Sequence, residues 1–237
     1  MKNLVLAAVL GAAAASTACT TSNNLTVTAH WSFKHIADGT ARSCPTGFDT
    51  ATVFAQPVDN LTAEANGGLI SADLFNCSDG AGTVVVPDGL YIMSVRIENH
   101  SGSMKYADSE GVFIDTATDA SFSVEILDDG GYLTFRWGLR DKQTNAPLTC
   151  AEAGVTSNGS VESIATSTTN ANFMLTDKFT CEDHYGTTDG LPAGTYVVSL
   201  DAENNNARLG DPVNFAATPV GAPNIVTDLG KVLLPID

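Results

Sequence analysis

Hydrophobic and polar residues alternate along most of this chain. Leu25, Val27, Ala29, Trp31 and Phe33 are separated by Thr26, Thr28, His30 and Ser32, and Leu133, Phe135, Trp137 and Leu139 by Thr134, Arg136 and Gly138. A period of two belongs to a strand with one buried face. Tyr91, Met93, Val95 and Ile97 form a third stripe, and Tyr196, Val198, Leu200 and Ala202 a fourth. Further strands are predicted over residues 50–56, 69–75, 112–114 and 122–126, and near 160–165, 171–179, 212–216 and 229–236. Gly, Asn, Asp and Pro punctuate them. Beyond the first residues, only 59–66 suits a helix. The fold class read from this pattern is all-β.

The stripes come in pairs because the chain repeats itself. Trp31 and Cys44 return as Trp137 and Cys150, Phe75-Asn-Cys77 as Phe179-Thr-Cys181, and the stretch from Val86 to Val95 as Leu191 to Leu200. The offset stays between 104 and 106 residues. Four landmarks in one order at one offset mark an internal duplication. The predicted architecture is two tandem antiparallel β-sandwich modules of six or seven strands each, residues 25–126 and 127–237. Their join, near Leu127-Asp-Asp-Gly-Gly131, is about five residues, too short for a loose tether.

The first residues change the picture of where the chain goes. Lys2 is followed by an apolar and small-residue run from Leu4 to Ala15. That run is too short for a stable span and has the length of a signal core. It ends at Ser16-Thr-Ala-Cys19, which resembles the bacterial lipobox, with Ser16 where an aliphatic residue is usual. Ser16 and Ala18 also fit ordinary signal cleavage before Cys19. Five cysteines are present, and four fall into equivalent pairs in the two copies, so Cys19 is the odd one. The expectation is a signal peptide over 1–18, lipidation of Cys19, and a short polar tether over 19–24. The lipobox resemblance implies several acyl chains, enough for stable attachment. Thr20 rather than Asp after the cysteine implies the outer membrane.

Charge removes some partners. Eleven Lys and Arg stand against 27 Asp and Glu, a net charge of −16. Nucleic acid is not expected, because phosphate contacts need a basic face. The mature chain, without Lys2, is one unit more negative.

The stretch Gly190-Leu-Pro-Ala-Gly-Thr-Tyr-Val-Val-Ser-Leu200, with its counterpart around Pro87-Asp-Gly-Leu-Tyr91, resembles a signature of transthyretin-like and carboxypeptidase-regulatory-like β-sandwich modules. Immunoglobulin-like modules carry similar turns. The resemblance implies non-catalytic spacer or binding units on exported bacterial proteins.

Candidate chemistry is sparse. A module duplicated whole carries its bridge within itself, so the expected disulfides are Cys44–Cys77 and Cys150–Cys181. There is no Cys-x-x-Cys pair for a metal. His30, His35, His100 and His184 form no metal-ligand spacing, and no nucleophile elbow or phosphate loop occurs. The acidic stretch from Asp201 to Asp211 is rich in oxygen ligands but lacks the spacing of a calcium loop. Tyr106, Tyr132 and Tyr185 are the candidates for an exposed sugar-stacking surface. His184 with carboxylates in an inter-module cleft would be the sign of an enzyme. The functional expectation is a non-enzymatic, lipid-anchored envelope protein. It needs no cofactor or metal, and it presents two stapled modules to an unknown envelope protein or acts as a spacer. A carbohydrate-binding lipoprotein is the alternative.

Overall fold

The computed structural model describes residues 24–59, 62–170 and 172–237. The expected signal peptide, Cys19 and the expected tether up to residue 23 lie outside them. The first half holds nine strands: β1 Asn24–His35, β2 Thr40–Arg42, β3 Thr50–Pro57, β4 Ser71–Asn76, β5 Ala81–Pro87, β6 Leu90–Glu98, β7 Lys105–Asp108, β8 Val112–Asp115 and β9 Ala120–Leu127. The second half holds eleven: β10 Gly130–Asp141, β11 Pro147–Leu148, β12 Gly159–Ser167, β13 Met174–Phe179, β14 Tyr185–Thr187, β15 Leu191–Pro192, β16 Gly194–Asn204, β17 Ala207–Arg208, β18 Val213–Asn214, β19 Thr218–Val220 and β20 Ile225–Ile236.

Each half is a two-sheet sandwich. In the first, β1 pairs with β2, β5 and β9, facing a sheet of β4, β3, β6, β7 and β8. In the second, β10 pairs with β11, β14, β15 and β20, facing a sheet built on β13, β12 and β16. The two plans correspond, with β14 and β15 together in the place of β5, and β17, β18 and β19 in the places of β7 and β8. Pairing is antiparallel with one exception in each half: β9 runs parallel to β1, and β20 parallel to β10. Alternation in a sequence carries no strand direction, so this pair could not be read from it.

The alternating stripes are the cores. Val27, Ala29, Trp31 and Phe33 meet Tyr91, Met93, Val95 and Ile97 in one cluster. Leu133, Phe135, Trp137 and Leu139 meet Tyr196, Val198, Leu200 and Ala202 in the other. Trp31 is 5% exposed and Trp137 0%. Each indole also anchors its bridge, because Trp31 Nε1 donates to the Cys77 carbonyl at 2.7 Å and Trp137 Nε1 to the Cys181 carbonyl at 3.0 Å. Tyr91 and Tyr196 each donate to the carbonyl of the proline four residues earlier, Pro87 and Pro192, at 2.9 Å. A buried indole or phenol that finds a partner keeps its apolar area without leaving a polar atom unmet.

Each half holds more than the six or seven strands expected, and three further expectations need correction. The run 59–66 holds no helix among its described residues. Instead Ala63 N–H bonds to the Asp59 carbonyl, and Asp59 N–H to the Glu64 carbonyl, a closed turn. Asp and Asn favour such turns over helix interiors. The piece 212–216 is strand only at Val213–Asn214, and the chain opposite Tyr196 is Thr218–Val220. The join is shorter than five residues, because β9 ends at Leu127 and β10 begins at Gly130.

Candidate functional site

The two disulfides are Cys44–Cys77 and Cys150–Cys181, with Cα atoms 6.1 and 6.0 Å apart. Both tie a loop after the first core strand to a single 3-10 turn, Cys77–Asp79 or Cys181–Asp183.

The join is pinned rather than merely short. Asp128 and Asp129 fold back on the turn that follows β1. His35 Nδ1 lies 2.6 Å from Asp128 Oδ1 and Nε2 3.4 Å from Asp129 Oδ2. Arg42 Nε reaches Asp128 Oδ2 at 3.3 Å. Asp129 accepts the amides of Ile36 at 2.6 Å and Ala37 at 2.9 Å. The hydrogen bond to Asp128 raises the His35 pKa above its ordinary value. The three side chains are close enough to share a metal ion. Arg42 and two backbone amides already occupy the carboxylates, however, and a cation in place beside the acids makes this a clasp on the join.

A second clasp comes from the far end of the chain. Asn224, buried between β19 and β20, accepts the Leu127 amide at 2.6 Å through Oδ1 and donates through Nδ2 to the Asp108 carbonyl. Tyr132 donates to the Glu125 carbonyl at 3.0 Å, and Thr187 Oγ1 to the Gly111 carbonyl at 3.2 Å. Lys231 reaches Glu64 at 3.4 Å. Backbone from one module is thus held by side chains of the other at several separate points.

Between these contacts lies a cleft of about 790 Å³. The outward face of β1 and β9 forms one wall, with Lys34 and Glu125 and with Ile36 just past β1, and the stretch Glu110–Phe113, which leads into β8, closes its end. The second module contributes Leu175, Phe179, Asp183 and the run from Tyr185 to Gly190. Lys34 is paired to Glu125 at 3.0 Å. Glu110 is the deepest carboxyl. Its Oε2 is closed to solvent and has no hydrogen-bond partner among the described residues. Burial pushes its pKa up to about 7, against its own amide and that of Glu125, which pull it down. Burial likewise lifts Asp183 to about 6 at the cleft. Behind it Asp177, also lifted to about 6 by burial, accepts the Asp189 amide at 3.2 Å. Carboxyls held near neutrality in a cleft are a recognised mark of a functional surface.

Of the residues singled out in the sequence, Tyr132 and Tyr185 line the cleft and the others fall elsewhere. His184 does not line the cleft. It ends the turn Cys181–Asp183 with φ of 53°, and its Nδ1 lies 3.2 Å from the Trp137 carbonyl. The acidic stretch beginning at Asp201 is already matched by cations. Arg208 meets Asp201 at 2.7 Å, Lys178 meets Glu203, and Lys142 meets Asp211 at 3.0 Å. The tyrosines proposed for a sugar surface are not exposed. Tyr132 is 4% exposed, Tyr106 packs against Phe48 at 5.3 Å, and Tyr185 is half-buried in the cleft wall. Among the described residues no aromatic side chain is exposed. These three belong to packing because each ring sits where the modules or their sheets close.

Glu110 and the run 187–190 were invisible as site residues. A signal for the second was nevertheless present. The offset between the copies is 104 residues at Phe75 and Phe179 but 105 at Val86 and Leu191. One extra residue therefore stands between Phe179 and Leu191, and the strand register places it after Thr187. In the structure it is a bulge: Thr134 pairs with Thr187, but Gly131 pairs with Leu191.

No family model matches the chain. No curated protein matches it either. Among solved structures, a leucine-rich repeat protein from Bacteroides thetaiotaomicron superposes with a TM-score of 0.38 at 15% identity, covering 91% of this chain and 27% of that one. The minor pilin of Streptococcus agalactiae gives 0.30 at 12% identity, covering 87% and 95%. The fimbrial anchor protein of Porphyromonas gingivalis gives 0.29 at 11%, covering 81% and 82%. The chain spans about a quarter of the leucine-rich repeat protein. At this level of likeness its role has to be read from its own residues.

Proposed function

We propose that this is a non-enzymatic binding protein of a bacterial envelope, lipid-anchored through Cys19, that holds two stapled β-sandwiches in one fixed arrangement and presents their junction to a partner. The observation that carries it is the doubled clasp. The acids of the join grip β1 and its turn, and Asn224 grips the ends of β7 and β9. A spacer needs no such locking, whereas a surface assembled from two modules does. The rings of His35 and His184 bond to Asp128 and to the Trp137 carbonyl rather than to a nucleophile. The sugar-binding alternative lacks an exposed stacking ring, since Tyr132 is buried and Tyr106 and Tyr185 are half-buried.

Two measurements test this reading. Cys19→Ser should move the protein from the membrane pellet to the soluble fraction, and retention in the pellet would remove the anchor. Crosslinking of the tagged full chain in cells should capture one stoichiometric partner through residues around the junction. Crosslinks scattered evenly over both modules would leave the spacer.

A further inference from the structure

We infer that the inter-module cleft is a binding site for a protonated amine carried on an apolar stem, with Glu110 as its charge partner. This deepens the binding role proposed above by naming the chemistry of the ligand, and it does not depend on the anchor.

Four features select that class. The volume of about 790 Å³ is in the range of small-ligand sites and exceeds what a bare ion needs. Its walls are apolar where Ile36, Val112 and Phe113 face Leu175 and Phe179, and such surfaces take a hydrocarbon stem. Its polar lining is acidic. Glu110, Glu125, Asp183 and Asp189 stand against Lys34 alone, and Lys34 is already paired with Glu125. An anion would meet uncompensated like charge. Finally, Glu110 Oε2 is an unmatched acceptor sealed from water, and a buried unmatched polar atom costs free energy until a donor reaches it.

A divalent metal fits less well. Among the described residues, the acids and histidines whose ligand atoms converge are His35, Asp128 and Asp129. The cleft carboxyls do not converge in that way, so they suit a single ammonium group that donates several hydrogen bonds rather than a compact coordination shell. The cleft is also made by both modules. Thr187 and Tyr185 meet the Gly111 turn so closely that a Cβ on Gly111 would lie 2.5 Å from the Tyr185 hydroxyl. Neither module alone builds the site.

The test is a titration of the full chain, purified in detergent, with n-pentylamine, followed by backbone amide chemical shifts. The expected result is saturable shifts at Gly111, Thr187 and Gly190. Glu110→Gln should weaken binding by about tenfold or more, the scale of a lost charge-assisted hydrogen bond. Asp189→Asn, at the exposed rim, should weaken it by about two- to fivefold, and it serves if Glu110→Gln does not fold. Asp88→Asn, in a distant exposed turn, should change nothing. Three results would each overturn the assignment. One is an equal response to n-pentanol, which would make the cleft a plain apolar slot. Another is unchanged affinity in Glu110→Gln or, where only that variant folds, Asp189→Asn. The third is a set of shifts spread over the outer acidic faces, which is what general attraction to a chain of net charge −16 would give.

Discussion

In the first module the strand opposite β1 runs unbroken from Ala81 to Pro87, each residue in register. In the second its counterpart stops at Thr187 and resumes at Leu191. Thr188 bridges the gap, its amide donating to the Leu133 carbonyl at 3.0 Å and its hydroxyl accepting the Leu133 amide at 3.1 Å. Across β10 a second irregularity shifts β20 between Asp228 and Lys231, where β9 has none. The shared features are those that hold a module together: bridge, indole, Tyr–Pro contact. The departures include two bulges on one sheet, and the first of them lines the cleft. Bulges re-aim side chains and interrupt pairing beside functional surfaces. Duplication therefore kept the scaffold, and the junction is where the second copy departed from it.

The bridges should show the largest effect and should be equal. They close loops of similar length, with sequence separations of 33 and 31. On chain entropy each contributes about 3–4 kcal/mol. Replacing Cys44 and Cys77 by Ala, or Cys150 and Cys181, should lower unfolding stability in urea by similar amounts. A difference of more than a factor of two would mean that the modules lean on their bridges differently.

The next effect concerns a contact both modules share and neither sequence advertises. Phe75 lies over Gly82 so closely that a Cβ there would sit 2.6 Å from its ring. In the second module a Cβ on Gly186 would sit 2.7 Å from Phe135 and 3.0 Å from Phe179. Gly82→Ala and Gly186→Ala should each cost about 1–3 kcal/mol by overpacking. Gly186→Ala should be the worse, because two rings rather than one must give way. Equal costs would mean that Phe179 moves freely.

Acid titration sharpens the comparison at the junction. The carboxyls pushed up by burial are Glu110 at about 7, Asp177 and Asp183 at about 6, and Asp201, three of the four in the second module. A carboxyl whose folded pKa is raised binds its proton more tightly in the folded state. Its penalty is absent below the unfolded value, grows as pH rises towards the folded value, and is full above it. Stability should therefore rise as pH falls from about 8 to about 5. It should decline at more acid pH, where Asp38, Asp129, Asp141 and Glu203, all held low, begin to protonate. Glu110→Gln should flatten the upper part of the curve and raise stability at pH 8 by on the order of 2 kcal/mol. A melting temperature unchanged by that substitution at pH 8 would place the Glu110 carboxyl in water rather than under the second module.

How much of this was legible depended on what the sequence repeats. The core stripes, both tryptophans and the cysteine pairs were readable because period-two alternation and duplication each constrain them independently. The strand β5, with Val84 and Val86 buried, was missed because its short apolar run merges with the turn at Pro87. The parallel pairing of β1 with β9 depends on long-range closure, which no local pattern encodes. Glu110 was unreadable because one carboxyl between two strands looks like any loop acid until the other module covers it. The bulge was half-written, as a change of offset whose meaning needed the strand register.

The smallest effect tests whether His184 is merely the second copy's version of Gly80. Both residues end a 3-10 turn after a bridged cysteine, both have positive φ, 65° and 53°, and both donate their amide to the cysteine carbonyl at 3.4 Å. The carbonyl of each then accepts the amide of the core tryptophan, Trp31 or Trp137. The left-handed conformation costs a residue with a Cβ about 1–2 kcal/mol and costs glycine little. Around Gly80 there is room, since a Cβ would lie 3.6 Å from the Trp31 carbonyl oxygen, so Gly80→Ala should lose about 1 kcal/mol from backbone strain alone. For His184 the strain is offset by the ring, which is half-buried and lies within hydrogen-bond distance of the Trp137 carbonyl. His184→Ala removes the ring and keeps the strain, while His184→Gly removes both. The glycine variant should therefore be more stable than the alanine variant by about 1 kcal/mol, measured by urea unfolding of the full chain. If the two variants are equally stable, the backbone at 184 relaxes once the ring is gone, and the equivalence with Gly80 belongs to the ring contact rather than to the turn.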